Sequence, residues 1–278
     1  MESWIYLASD VGCVHKTLEI TTKIGCPISY TCCPQKQLIK SYVNSKRMMT
    51  YDDYRTYLSK VPVDVRIDFS GFCEPFAHVE CSKMIRLTHE RGYRIALYTI
   101  KINPLALQLP DEGGNARIKA DDEYLKVLET IKAFPNVQFM AMGTIRQDIR
   151  HIVPEPSFAF QKLSRASNVF ESSRRYGPIT CQYDLSHFVL LPDGRVVLCC
   201  MDYSMKHVIG DLNNCSYDEL TYSPEMKAIK ESNRKFNDDY SICRRCEVAS
   251  TIFNKLPHPV SSGIDLAIDR YVSSVGLY

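Results

Sequence analysis

The stretch CQYDLSHFVLLPDGRVVLCCMD, residues 181–202, decides how this chain is read, together with CRRC at residues 243–246. Twelve residues separate Cys181 from Gly194, four separate Gly194 from Cys199, and forty-three separate Cys199 from Cys243. Two apolar runs, residues 188–191 and 196–200, flank Pro192-Asp193-Gly194-Arg195. That pattern predicts a β-hairpin, with Gly194 letting the chain turn back. The hairpin brings in two cysteines and the CxxC turn supplies two more, so Cys181, Cys199, Cys243 and Cys246 make a four-thiolate site. Four thiolates suit zinc or an iron–sulfur cluster. Cys200 is a second candidate beside Cys199, but neighbouring side chains of a strand point to opposite faces, and Cys199 is the favoured ligand. Arg244 and Arg245 are placed to offset the negative charge of bound thiolates.

The rest of the chain makes metal binding the leading use of its twelve cysteines. The N-terminus, MESWIYLASDVG, has no basic stretch followed by an apolar run, and no stretch of about 18 apolar residues occurs. A cytoplasmic protein is therefore expected, where disulfides are disfavoured. Hydrophobic residues at 45%, charged residues at 24% and a net charge of +2 describe an ordinary globular core. They give no general reason to expect nucleic acid or membrane as a partner.

The first 150 or so of the 278 residues alternate strand and helix. Strands are predicted at residues 17–22, 63–69, 94–98 and 137–142. Helices are predicted near 36–44, over 51–60, 79–91 and 121–133, with Thr50 and Asp53 as a capping box and Gly92 as a stop. This order implies a parallel sheet, open or closed into a barrel. Short helices follow near 217–222 and 225–232, and residues 264–275 have a helical pattern.

The segments CQYDLSHFVLLPDGRVVLCCMD, HVIGDL (207–212) and CRRC resemble the SPASM or "twitch" extension of radical S-adenosylmethionine (SAM) enzymes, in which such cysteines hold an auxiliary [4Fe–4S] cluster. The spacing is similar to that of the aminocyclitol dehydrogenases. Further upstream, LEITTKIGCPISYTCCPQ (18–35) resembles the family's first cluster loop, Cys-x3-Cys-x2-Cys. Tyr30 stands where that loop has its second cysteine. Two readings follow: Cys26, Cys32 and Cys33 form a shifted ligand set for a SAM-binding [4Fe–4S] cluster, or the loop has lost its radical chemistry. Ser70-Gly71-Phe72-Cys73-Glu74-Pro75 resembles the family's glycine-rich Glu-Pro segment, which implies Gly71 and Glu74 at the amino group of SAM. Cys73 stands where glycine is usual. Thr99 would lie at the SAM ribose. Ser164-Arg165-Ala166-Ser167-Asn168 resembles the family's Ser-Arg-Ala-Gly-Asn run, which implies that Arg165 holds the SAM carboxylate or a substrate group.

The resemblance implies an α/β fold: a partial (β/α)6 TIM barrel (residues 1–176), a small cysteine-rich β-hairpin/α auxiliary-cluster domain (177–252) and a tail (253–278). It implies two [4Fe–4S] clusters, SAM, an electron donor such as flavodoxin or ferredoxin, and a small-molecule or peptide substrate. Hydrogen abstraction from a sugar or cyclitol, with the auxiliary cluster accepting an electron, is the first functional reading. Peptide modification, or a degenerate fold that only binds a partner, are the alternatives.

Overall fold

The structure is a computed structural model, and it describes residues 16–27, 33–98, 106–114, 120–133, 138–141, 144–155, 158–159, 164–181 and 183–251. The chain opens with β1 (Thr17–Ile20), α1 (Gln35–Ser41), α2 (Tyr51–Leu58), β2 (Arg66–Phe69), α3 (Cys81–Glu90) and β3 (Ile95–Leu97). It continues through β4 (Ala106–Gln108), α4 (Asp122–Ile131), β5 (Gln138–Ala141) and β6 (Phe158–Ala159). The cysteine-rich part holds β7 (Ile179–Cys181), β8 (His187–Leu190), β9 (Arg195–Val197), β10 (Val208–Asp211), α5 (Tyr217–Leu220), α6 (Pro224–Arg234) and β11 (Ala249–Thr251).

The expected parallel barrel strands are present in two pieces, β1-β2-β3 and β4-β5-β6, and each neighbouring pair runs parallel. No ladder joins β3 to β4 among the described residues. On the other side of β1 lies the predicted hairpin: β8 pairs parallel with β1, and β9 and β10 follow antiparallel. The six-stranded order β10-β9-β8-β1-β2-β3 therefore runs without a break from the cysteine-rich segment into the barrel.

Alternation along these strands builds a core on each face. Leu18, Ile20, Ile67, Phe69, Phe188 and Leu190 pack with Tyr54, Tyr57 and Met84 of α2 and α3, and with residues of α5 and α6. Val189, Leu191 and Val197 pack on the opposite side with Leu38, Tyr42, Phe72 and Tyr203. Burial of this apolar area is the main stabilising term. At the start of α2, Thr50 accepts from the Asp53 backbone N–H at 3.1 Å and donates its own N–H to the Asp53 carboxylate at 3.0 Å, completing the predicted capping box.

Several boundaries move. The strand expected from Val63 starts at Arg66, after Pro62, and Val63 is exposed. The helix expected from Val79 starts at Cys81, and Val79 is again exposed. Strands β4, β6, β7, β10 and β11 are two to four residues long and were not anticipated. The helical pattern at 264–275 lies outside the described residues.

Candidate cluster sites

The hairpin turn requires Gly194. Its φ is +94°, and a Cβ there would collide with the Asn213 amide and approach the Asp211 carboxylate to 2.8 Å. With the chain turned back, β7 and β11 pair antiparallel and place Cys181 opposite Ala249. The CxxC residues form a tight 3-10 turn, Ile242–Arg245, whose start is capped by Ser241 Oγ accepting from Cys243 N–H at 3.1 Å. The four expected ligands then line one pocket, together with Cys200, Tyr183, His187 and apolar side chains.

The cysteine pair after β9 divides between two environments. Cys199 packs against the core that contains Cys243 and Cys246, whereas Cys200 packs against the opposite core with Cys33, Phe72 and Tyr203. Burial drives the Cys199 thiol well above its usual range, and the charges of Cys200, Cys243 and Cys246 push the same way. Burial also raises Cys200, but its strongest charged neighbours are Glu19 and Arg165. Cys243 rises through burial, with Cys181 adding to it, and Cys246 reaches about 11 through burial, with Cys243 and Cys181 adding to it. Buried together, the Cys199, Cys243 and Cys246 thiols resist becoming thiolates without a cation among them. Among the described residues no three His, Cys, Asp or Glu side chains close on one point at ion-binding distance. A single zinc would draw its sulfurs to about 2.3 Å of one centre. A four-iron cluster takes each thiolate on a different iron.

A buried polar brace fixes the CxxC turn. Asp202 accepts from His207 N–H at 2.7 Å and Lys206 N–H at 2.9 Å. His207 Nδ1 bonds Glu225 at 2.6 Å, and its Nε2 accepts from Ile242 N–H at 3.2 Å, which sets the tautomer with the proton on Nδ1. Arg244 differs from expectation. It is buried and donates to the carbonyls of Gly177 at 2.5 Å, Ser232 at 2.9 Å, Asp238 at 3.0 Å and Lys235, so its hydrogen bonds staple backbone rather than sulfur. Arg245 bonds the Ser172 carbonyl at 2.9 Å and pairs with Glu171.

At the N-terminal site, Cys26 and Cys33 are half-buried, while Tyr30, Cys32 and Thr99 lie outside the described residues. Cys26 raises Cys73, whose thiol, elevated chiefly by burial, lies 3.4 Å from Thr22 Oγ1. Gly71 is needed for close approach to β1 itself: at φ +53° its Cβ would strike Thr21 Oγ1 and reach Thr21 N at 2.9 Å. Buried Glu74 accepts from Phe76 N–H at 3.3 Å as the cap of a short 3-10 turn.

Arg165 opens a run of three consecutive left-handed residues, with φ of +53°, +52° and +67° at Arg165, Ala166 and Ser167. One carboxylate holds that run. Glu247, next to Cys246, accepts from Arg165 N–H at 3.1 Å, Ala166 N–H at 3.4 Å and Ser164 N–H. The charge of Arg165 acts on Glu19, Cys200 and Tyr203.

Glu19, Tyr203, His207 and Glu247 were not singled out from sequence. Glu19 alternates with the core residues Leu18 and Ile20, and that alternate-face position was the available signal. It sits beside Asp68 in register, accepts from Ser70 Oγ at 3.1 Å, and is pushed up to about 7, first by burial and then by Asp68. Asp68 is itself held by a two-point pair with Arg66 at 2.7 and 2.8 Å.

Residues 181–247 match the family model of the SPASM iron–sulfur cluster-binding domain. The match spans Cys181, Cys199, Cys243 and Cys246. Among solved structures it is similar to BtrN in complex with AdoMet and 2-DOIA, with a TM-score of 0.50, 14% identity, and coverage of 86% of this chain and 94% of that one. It is also similar to anSMEcpe with bound AdoMet (TM-score 0.49, 14% identity, 83% and 86% covered). A third is Streptococcus suis SuiB bound to precursor peptide SuiA (TM-score 0.47, 10% identity, 84% and 70% covered). No curated protein matches the sequence. No helix among the described residues is long and apolar enough to cross a membrane.

Proposed function

We propose that the chain is a radical SAM enzyme that removes hydrogen from a small hydroxylated substrate, a sugar or cyclitol. Cys181, Cys199, Cys243 and Cys246 hold an auxiliary [4Fe–4S] cluster, and Cys26, Cys32 and Cys33 hold the SAM-binding cluster. Bound there, SAM would supply the radical that takes the hydrogen, and the auxiliary cluster would supply an electron acceptor. The observation that carries this reading is the gathering of the four predicted SPASM cysteines around one cavity, with Tyr183 and Cys200 linking its wall electrostatically to Glu19.

The chain's own residues shape the binding surface. Glu19, Asp68, Ser70 and Arg165 offer closely spaced donors and acceptors, which suit a ligand rich in hydroxyl groups. Glu19 and Asp68 are buried and Ser70 and Arg165 half-buried, so they lose little freedom when it binds. Arg165, whose backbone N–H bonds Glu247, would take the SAM carboxylate or a substrate oxygen, and Gly71 and Glu74 would face the SAM amino group. A flavodoxin or ferredoxin is the proposed reductant.

Anaerobic reconstitution tests the assignment. About eight irons per chain are expected, with SAM cleaved to 5′-deoxyadenosine once dithionite or reduced flavodoxin is added. Adding inositol or glucosamine deuterated at carbon should place deuterium in that product. Deuterium uptake from peptides alone would favour peptide modification, and stoichiometric zinc without visible absorbance would overturn the cluster assignment.

A further inference from the structure

Tyr203 belongs to the loop that follows the auxiliary cysteines Cys199 and Cys200, yet its hydroxyl reaches the N-terminal cysteine loop. Its oxygen lies 3.7 Å from Cys33 Sγ, within hydrogen-bond reach of the large sulfur atom. The ring is fixed in place: it is 6% exposed and packs on Phe72 with centroids 4.5 Å apart. Leu38, Tyr42 and Met205 share that core, and Cys33 packs against it. The loop carrying Tyr203 is held in turn by Asp202, through Lys206 and His207, and by Asn168, which donates to the Met201 carbonyl at 3.0 Å.

We propose that Tyr203 is a positioning residue for the SAM-binding cluster, donating a hydrogen bond from the auxiliary domain to the sulfur of Cys33. The inference rests on the reading of Cys33 as a ligand of that cluster. A free thiol and a phenol can each donate to the other, so the direction is undetermined in a metal-free pair. Ligation removes the thiol proton, and the tyrosine hydroxyl becomes the donor. A donor aimed at a ligating sulfur stabilises the electron-rich state more than the oxidised one, so it favours reduction. Reduction is the step a SAM-cleaving cluster must undergo. The auxiliary domain would thus set how readily the other cluster takes its electron.

The test is a reductive titration of the anaerobically reconstituted full chain, followed by electron paramagnetic resonance. SAM added to a parallel sample perturbs only the cluster with an open iron and so distinguishes the two signals. Tyr203→Phe keeps the ring and removes the donor. One hydrogen bond to a charged acceptor is worth roughly a tenfold change in an equilibrium constant, which for a one-electron couple is about 59 mV. The SAM-responsive cluster should become about tenfold harder to reduce, and the auxiliary cluster should stay where it was. Fluorotyrosine at position 203 keeps the shape and strengthens the donor, so it should move the same potential upward. A shift under twofold in both variants overturns the inference. An iron count of about four per chain in the parent, with no SAM-responsive signal, overturns the assignment of Cys33 and this inference with it. Intact iron with unmoved potentials overturns the inference alone.

Discussion

Replacing Glu19 by Gln should change the pH dependence of stability in a defined direction. The carboxyl is raised from 4.5 to about 7, first by burial, then by Asp68 beside it, against smaller lowering contributions from Cys200, Ser70 and Arg165. The folded state therefore binds this proton more tightly than the unfolded chain does. Its stabilising contribution is fully present below pH 4.5 and is lost as pH rises through about 7. A rise of this size corresponds to roughly 3 kcal/mol between the two limits. Gln keeps the shape, has no proton to lose, and can still accept from Ser70, whose hydroxyl lies 3.1 Å from the carboxylate.

Urea unfolding of the reconstituted protein and of Glu19→Gln, at pH 5 and at pH 8, measures the difference. Groups away from Glu19 titrate equally in both proteins and cancel. The parent should lose up to about 3 kcal/mol more than the variant between those two pH values. The variant should match the parent at pH 5 and exceed it at pH 8. Parallel pH curves would refute the reasoning, because they would mean that Glu19 ionises in the folded protein as freely as it does unfolded.

Three further outcomes follow from the geometry. Cys199→Ala should lose about four irons per chain, whereas Cys200→Ala should keep its iron, since only Cys199 packs with the CxxC thiols; the reverse result in an iron assay would move the ligand assignment to Cys200. Gly71→Ala should lower stability by at least about 2 kcal/mol, read as a shift in urea midpoint, because its Cβ meets β1 backbone as well as the Thr21 side chain; an unchanged midpoint would contradict that close approach. Ser167→Gly should raise stability by up to about 1 kcal/mol in the same assay, since φ is +67° there and the residue carries a Cβ; a clear loss would show that the Ser167 hydroxyl, which receives the Ser172 N–H at 3.1 Å, outweighs the backbone term.

Local rules carried part of the fold. The capping box at Thr50 and Asp53, the Gly194 turn and the alternation around Leu18 and Ile67 depend on near neighbours, and all were readable in order along the chain. The preference for Cys199 over Cys200 came from the period of a strand, and the two side chains do part to opposite cores. What was not readable depends on chain partners far away in sequence. The three-residue strands β7 and β11 are too short to declare themselves and exist because they pair with each other. The parallel contact of β8 with β1 joins segments about 170 residues apart, at Leu18 and Phe188. Arg244 looked like a counter-charge for thiolates, but its hydrogen bonds go to carbonyls whose convergence only the tertiary structure creates.

The same long-range contacts explain why the two cysteine sites belong to one mechanical unit. A domain hung on a flexible linker would leave the relative position of its cluster to chance. Here β8 extends the sheet that carries Glu19 on β1, and the core beneath that sheet includes Leu18 together with Cys243 and Cys246. Glu247, adjacent to Cys246, binds the amides that aim Arg165, and Tyr203, a few residues after Cys199, touches Cys33. The Glu247 and Tyr203 contacts run from segments near proposed auxiliary ligands to residues proposed for the SAM side. A perturbation of the CxxC turn is therefore expected to reach Arg165 through the Glu247 carboxylate. The backbone strain at Arg165 and Ala166 persists because Glu247, beside the CxxC turn, supplies the carboxylate that binds their amides, while Ser167 N–H is taken by Ser164 Oγ at 3.2 Å.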